Sequence, residues 1–271
     1  MNNNDTTHLP ILMYHGIQHS TAEQLPAGWS RPHAIDARSF AAQLDAIVAG
    51  GLQTVSLAAL DQPDAARRPI VITFDDGHSS DYLIVAPELE GRGLTATFFI
   101  TSSFLDRPGY LRREQVCELR AASFEIGSHG LTHKRLAEVG PAELWREALD
   151  SKRRLEDLIG EEVSNFALPS GSYNDAVLQA LWAAGYRRIM TSDFGYARRE
   201  HSVMHRMGVI AETGAHEFQR FLTASPSWAT RHRLIQGVRR RLRLALPRPV
   251  RSPFFKSTLQ AAASWFTESD A

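Results

Sequence analysis

Two adjacent carboxylates, Asp75 and Asp76, follow the run Pro69-Ile70-Val71-Ile72-Thr73-Phe74 and precede Gly77. The run is short, β-branched and apolar on both faces, as a parallel strand covered on both sides must be. The carboxyl ends of such strands are where α/β folds gather ligands and catalytic groups. Neighbouring side chains of an extended segment diverge, so one carboxylate can ligate a metal while the other accepts a proton. A solvated strand-end turn explains a lone Asp-Asp-Gly equally well. The second cluster, Ser128-His129-Gly130-Leu131-Thr132-His133, also follows a short strand-like run. Histidines four apart meet on one face if the segment begins a helical turn; core or capping histidines are the plain alternative. Joined to an Asp from another strand end, the pair makes a two-His, one-carboxylate set with positions open for water and substrate. Such a set suits zinc in a hydrolytic site, and cobalt, nickel or iron would take the same ligands. A non-haem iron oxygenase uses the same triad, but on a jelly-roll scaffold that this sequence does not suggest.

The elements that must position these residues alternate. Strand-like runs over 10–14, 69–74, 95–100, 124–127, 163–168 and 186–190 are interleaved with helical periodicity over 35–49, 80–90, 112–122, 141–159 and 175–184, and an apolar stretch over 203–210 follows. Glycines stop several of the helices. Repeated strand-then-helix units of this length imply a parallel α/β sheet, open or closed into a barrel. No linker divides residues 9–225, which read as one catalytic domain; residues 226–271 read as a basic helical extension packed on or beside it. Positions 231–251 carry eight Arg and no acidic residue, with apolar residues on one helical face. A solvated helix is the plain reading, and peripheral contact with an anionic membrane is the functional one.

Thirty basic and thirty acidic residues give a formal net charge of zero, so nothing general points to nucleic acid or a polyanionic substrate. The single cysteine, Cys117, excludes an intrachain disulfide and a cysteine-based zinc site. The first residues lack the basic and apolar regions of a secretory signal, and no stretch is apolar enough to span a membrane. The expectation is a soluble chain, cytoplasmic or peripheral at the membrane; a trimmed leader would leave the same sequence.

The motifs resemble those of the polysaccharide deacetylase family, the NodB-homology or carbohydrate esterase family 4 group. Thr73-Phe74-Asp75-Asp76-Gly77 is similar to its first motif, Ser128 to His133 to its second, and Phe166-Ala167-Leu168-Pro169-Ser170-Gly171-Ser172-Tyr173 to its third. Ile11-Leu12-Met13-Tyr14-His15 looks like the family's first strand. The resemblance implies a distorted (β/α) barrel with about seven strands. It implies Asp76, His129 and His133 as ligands of one divalent metal, zinc for preference, with Asp75 as catalytic base and the backbone N–H of Ser170 as oxyanion donor. Asn174 or Asp175 would cap the helix that follows.

Departures from the pattern leave roles open. An Arg that orients the catalytic Asp often stands two residues before the third-motif proline, where this chain has Ala167; Ala there resembles an exopolysaccharide-modifying branch. Arg206-Met207-Gly208 replaces the motif that supplies the general acid. His15 becomes the first substitute acid, ahead of His205 and His201, and Asp193 a group to orient an imidazole. Arg206 is either a replacement partner for Asp75 or a rim ion pair. The expected activity is removal of N-acetyl groups from an amino-sugar polysaccharide or lipid-linked glycan. Hydrolysis of a small amide or an O-acetyl ester at the same site is the alternative, as is a catalytically weak glycan-binding protein.

Overall fold

A computed structural model of the chain describes residues 8–19, 25, 28–62, 67–223 and 227–231. Seven short strands form its centre: β1 (Ile11–Tyr14), β2 (Pro69–Phe74), β3 (Thr97–Ile100), β4 (Glu125–Ser128), β5 (Asn165–Ala167), β6 (Arg188–Phe194) and β7 (Val203–Gly208). All pair in parallel in the order β1-β7-β6-β5-β4-β3-β2, and β2 pairs back onto β1 through Ile11 opposite Val71 and Tyr14 opposite Phe74. The sheet is therefore a closed seven-stranded barrel, and closure removes the free edges that a strand would otherwise expose. Helices α1 (Ala37–Ala49), α2 (Ala86–Glu90), α3 (Arg113–Ala121), α4 (Pro141–Ile159), α5 (Asp175–Ala183) and α6 (Ala215–Leu222) lie in the connections and after the last strand.

Sequence and structure agree on the order of the main elements, and several bounds differ. The predicted helix over 80–90 is a π-turn at Asp81–Val85 running into α2, and β6 extends to Phe194, past the predicted end at 190. Local chemistry accounts for several boundaries: Asp36 caps α1 by accepting from Arg38 N, Asn174 caps α5 by accepting from Val177 N, and Pro141 starts α4. The chain divides into two units, Met1–Pro226 and Ser227–Ala271. The barrel belongs to the first, and the Arg-rich segment over 231–251 lies outside the described residues apart from Arg231. No helix among the described residues is long and apolar enough to cross a membrane.

Alternation along each strand fills the barrel in layers. Ile11, Val71, Phe99, Ala167, Met190 and Met204 form the apolar middle. Gly127 has no side chain because the Phe99 ring fills its place; a Cβ there would lie 2.5 Å from that ring. Outward-facing Tyr14, Phe74 and Phe98 stack at 5.2 and 5.3 Å and seal the strands against α1, where Phe40 meets two of the rings edge-on.

At the amino-terminal end the interior turns polar. Glu125 accepts from Leu57 N at 2.6 Å, Ala58 N, Thr97 Oγ1 at 2.9 Å and Asn165 Nδ2 at 2.5 Å, tying the segment that closes the barrel floor to three strands. Burial pushes its pKa up, while these donors favour the charged form and pull it back. Replacing Glu125 by alanine strands several buried donors at once, each costing about 1–3 kcal/mol. Urea denaturation is expected to show a loss of at least about 3 kcal/mol for Glu125→Ala. Glu125→Gln, which keeps an acceptor, is expected to lose less than half of that.

Candidate active site

At the carboxyl end of β2 the alternation that points Val71 and Thr73 inward continues to Asp75. Asp76 then takes φ +79° and Gly77 φ +78°, so the chain turns and the two carboxylates part. Left-handed backbone is uncommon for a residue with a Cβ, Asp being among the more tolerant, and it is held where surrounding structure fixes it. Here Asp75 N donates to Tyr14 O at 2.9 Å and Leu111 N to Gly77 O at 2.9 Å.

Asp75 is 2% exposed and Arg206 fully buried. The guanidinium grips both carboxylate oxygens, Nη1 to Oδ1 at 2.7 Å and Nη2 to Oδ2 at 2.8 Å, while its Nε donates to Thr191 O at 2.9 Å and Nη1 also reaches Thr73 Oγ1 at 3.1 Å. Arg206 is thus the partner of Asp75, and not a rim ion pair. It shares the interior face of β7 with Met204 by alternation, and the pairing beside it is irregular. Met204 lies opposite Met190 and Arg206 opposite Phe194, so β6 advances four residues where β7 advances two. Bulges of this kind re-aim side chains next to active sites. Burial alone would raise the pKa of Asp75; the Arg206 charge and hydrogen bonds, with His129 and His15 nearby, outweigh it and hold the carboxyl below its ordinary value.

Asp76 faces the other way. Its Oδ1 lies 3.3 Å from His129 Nε2 and 3.2 Å from His133 Nε2, and its Oδ2 lies 3.2 Å from His78 Nε2. His129, 2% exposed, donates from Nδ1 to Ala167 O at 2.9 Å, which fixes the tautomer and leaves Nε2 with an unprotonated lone pair able to ligate a metal. The two rings sit 5.0 Å apart, but not by helical spacing. Residues 129–133 form a loop in which Gly130 (φ +79°) and His133 (φ +61°) are both left-handed. The expected helical turn is absent because those conformations curl the chain back on itself instead. Burial opposes the charged form of Asp76, but its three imidazole neighbours hold its pKa well down. Burial likewise pushes His133 down and is overcome by Asp76, which leaves it raised.

A metal fits these three residues. Oδ1 of Asp76 is buried and makes no aligned hydrogen bond, and one donor atom from each residue lies within 4.8 Å of the others. Zinc bonds of about 2.0–2.2 Å at tetrahedral angles set neighbouring donors roughly 3.3–3.6 Å apart, close to the carboxylate-to-imidazole separations seen here.

The remaining residues stand less close together. Ser170 sits in the exposed loop after β5 with φ +56°. Pro169 from that loop packs beside Gly130, and a Cβ on Gly171 would lie 2.8 Å from Ser192, so the loop lies close against the end of β6. Asp193 accepts from Tyr173 Oη at 2.8 Å. His205 Nδ1 lies 3.2 Å from Thr191 Oγ1 and His201 is exposed. His15 lines a recess with Asp76, His78, Trp29 and His33, its ring stacked on His33 at 4.5 Å and its Nδ1 buried without a partner. Loss of water pushes its pKa down to about 4, against the pull of Asp76 and Asp75. His78, which steadies the second oxygen of Asp76, was not among the residues singled out by the sequence; its place directly after Asp-Asp-Gly was the available signal.

The polysaccharide deacetylase family model matches residues 62–189. YxkH of Bacillus subtilis, a protein assigned to the polysaccharide deacetylases, is 28% identical over 208 residues, 74% of this chain and 71% of that protein. The peptidoglycan-N-acetylglucosamine deacetylase of Bacillus cereus is 32% identical over 124 residues, 45% of this chain and 56% of that protein, so the match spans little more than half its length. Among solved structures, the Streptococcus pyogenes deacetylase PplD in complex with acetate is similar with a TM-score of 0.71 at 23% identity, over 79% of this chain and 98% of that one. With the paired Asp and His motifs at the strand ends of a closed seven-stranded barrel, residues 62–189 match the polysaccharide deacetylase family, a little under half of the chain.

Proposed function

We propose that the chain is a metal-dependent hydrolase that removes N-acetyl groups from an amino-sugar glycan. The observation that carries this reading is the division of labour between neighbours. Asp76 converges with His129 and His133 on a common point, while Asp75 is held apart, ionised, by Arg206. Two of the relatives support the substrate class by name, the Bacillus cereus peptidoglycan-N-acetylglucosamine deacetylase and a chitooligosaccharide deacetylase of Sinorhizobium fredii.

Asp76, His129 and His133 would hold the ion, zinc for preference with cobalt, nickel or iron as alternatives. A bound divalent cation supplies Lewis-acid polarisation of the acetyl carbonyl and acidifies water. Asp75 accepts the proton of the attacking water, and Arg206 keeps it ionised and oriented for that purpose. The N–H of Ser170 stabilises the oxyanion from the other motif loop. The leaving amine must gain a proton. His15, neutral beforehand, takes up the proton released at Asp75 and passes it on. Asp193 accepts from Tyr173 and is the group that would orient an imidazole.

Acetate release from N-acetylhexosamine oligomers tests this. Chelation is expected to abolish release and added zinc to restore it, with His129→Ala at background throughout. Full activity in His129→Ala would sink the proposal. A second reading, hydrolysis of a small amide or an O-acetyl ester, is favoured by one feature, the recess beside Asp76 walled by Gly28, Trp29, Ser30 and His33. Faster turnover of monomeric acetyl compounds than of oligomers would select it.

A further inference from the structure

We infer that Glu147, on the helix that follows the second motif, is the positioning residue that sets the spacing of His129 and His133. This rests on the reading of Asp76, His129 and His133 as metal ligands. Glu147 lies on α4, is 2% exposed and offers no atom to the donor cluster itself. Its carboxylate is committed to the two residues in the middle of the ligand loop. Oε2 accepts from Leu131 N and from Thr132 N, each at 2.9 Å, and Oε1 accepts from the Thr132 hydroxyl.

Loops without regular structure still have to satisfy their buried backbone groups. In this one the N–H groups are held from one side by Glu147, and the carbonyls from the other, where Ser102 N donates to Gly130 O at 3.1 Å and Ser103 N to Leu131 O at 2.9 Å. Gly130 and His133, the left-handed residues, bracket the two clamped amides. A Cβ on Gly130 would lie 3.2 Å from Glu147 Oε2, so the loop is seated directly on the carboxylate. The anchor is itself fixed, since Ser151 Oγ donates to Glu147 O at 2.6 Å and is joined to Ser128 Oγ at 2.9 Å. Without the clamp, the left-handed turn at His133 has less to hold it, and the two Nε2 atoms lose their common focus.

Position and charge are separable. Glu147→Gln keeps the reach and an acceptor for both amides but loses the charge. Glu147→Asp keeps the charge but is one methylene short, and Glu147→Ala loses both. Zinc affinity of the metal-stripped protein, by competition with a chromophoric chelator, is expected to stay within about threefold for Gln. It is expected to fall about 10- to 100-fold for Asp and Ala, the range seen when support behind a metal ligand is removed. The cobalt-substituted Asp variant should also show an altered visible absorption spectrum. Glu125→Ala, at the opposite end of the barrel, should be destabilised with its zinc affinity unchanged, which separates positioning from general loss of stability. Should the Ala variant not fold, the Asp variant decides. Wild-type affinity and spectrum in Glu147→Asp overturn the inference, and a loss in Gln at least as large as that in Asp overturns it too, because the reach that Gln preserves would then not be what sets the site. Indistinguishable zinc binding by the wild type and His129→Ala would instead remove the ligand assignment on which it stands.

Discussion

Arg206→Ala is expected to lower kcat/KM for acetate release by at least about 10²-fold, and to cost the metal-stripped protein about 3–5 kcal/mol in urea denaturation. Both effects have one origin. The guanidinium is fully buried, spans both oxygens of Asp75 and also donates from Nε to Thr191 O and from Nη1 to Thr73 Oγ1. Its removal leaves a buried carboxylate with no counter-charge, and breaking such a pair from one side is far more damaging than replacing both partners. Because the folded pKa of Asp75 lies below its ordinary value, the pair's contribution to stability is present above the unfolded pKa of about 3.9. It is lost as the pH falls through the lower folded value. Without Arg206, burial becomes the dominant influence and the direction reverses, so the acid limb of the pH–rate profile should move upward. A single ammonium cannot make two parallel bonds to a carboxylate, so Arg206→Lys should fall between wild type and alanine.

The same pair offers a rescue experiment. Ala167 and Arg206 belong to the same barrel interior: Ala167 packs in its apolar layer, and the Arg206 guanidinium lies 5.7 Å from the centre of the Phe99 ring within that layer. An Arg at 167 in the Arg206→Ala background is expected to recover part of both activity and stability, because the demand is for a guanidinium against Asp75 and not for a particular strand to deliver it. A folded double variant with no gain in activity would show that the bonds to Thr191 and Thr73 fix an orientation that position 167 cannot reproduce.

Asp75→Asn is the second large effect. It is expected to reduce kcat by about 10²- to 10⁴-fold while leaving zinc affinity within a few-fold of wild type. The substitution keeps shape and one acceptor for Arg206 but removes the proton acceptor. The donor cluster that includes Asp76 is untouched. On the proposed assignment Asp76→Asn should do the reverse first, losing metal, because the carboxylate oxygen that lies beside two imidazoles is the proposed ligand. Equal loss of zinc in the two variants would mean that the adjacent carboxylates do not divide the roles as proposed.

Strong local signals explain why so much of this was legible beforehand. The bounds of β2 and α4 coincide with the predicted ones because an apolar β-branched run and a Pro-to-Gly helical period leave little choice. The two motif clusters were visible as paired residues at strand ends. Their exact route to one another was not, since the histidines meet through a loop with two left-handed residues and a side-chain clamp from α4, none of which has a periodicity to detect.

What the sequence by itself determined was the alternation of strands and helices, the strand ends at which Asp75, Asp76, His129 and His133 would stand, and the absence of the usual Arg at position 167. Only the tertiary structure decided that Arg206 pairs with Asp75, that Asp193 joins Tyr173, that His78 lies against Asp76 and that Glu147 holds the loop between His129 and His133. The physical reason is that most of these partners come from different elements, as far as 131 positions apart in the case of Asp75 and Arg206, while His78 depends on the left-handed turn at Asp76 and Gly77. Their meeting depends on closure, strand register and one irregular pairing, which are properties of the assembled sheet and of no single segment.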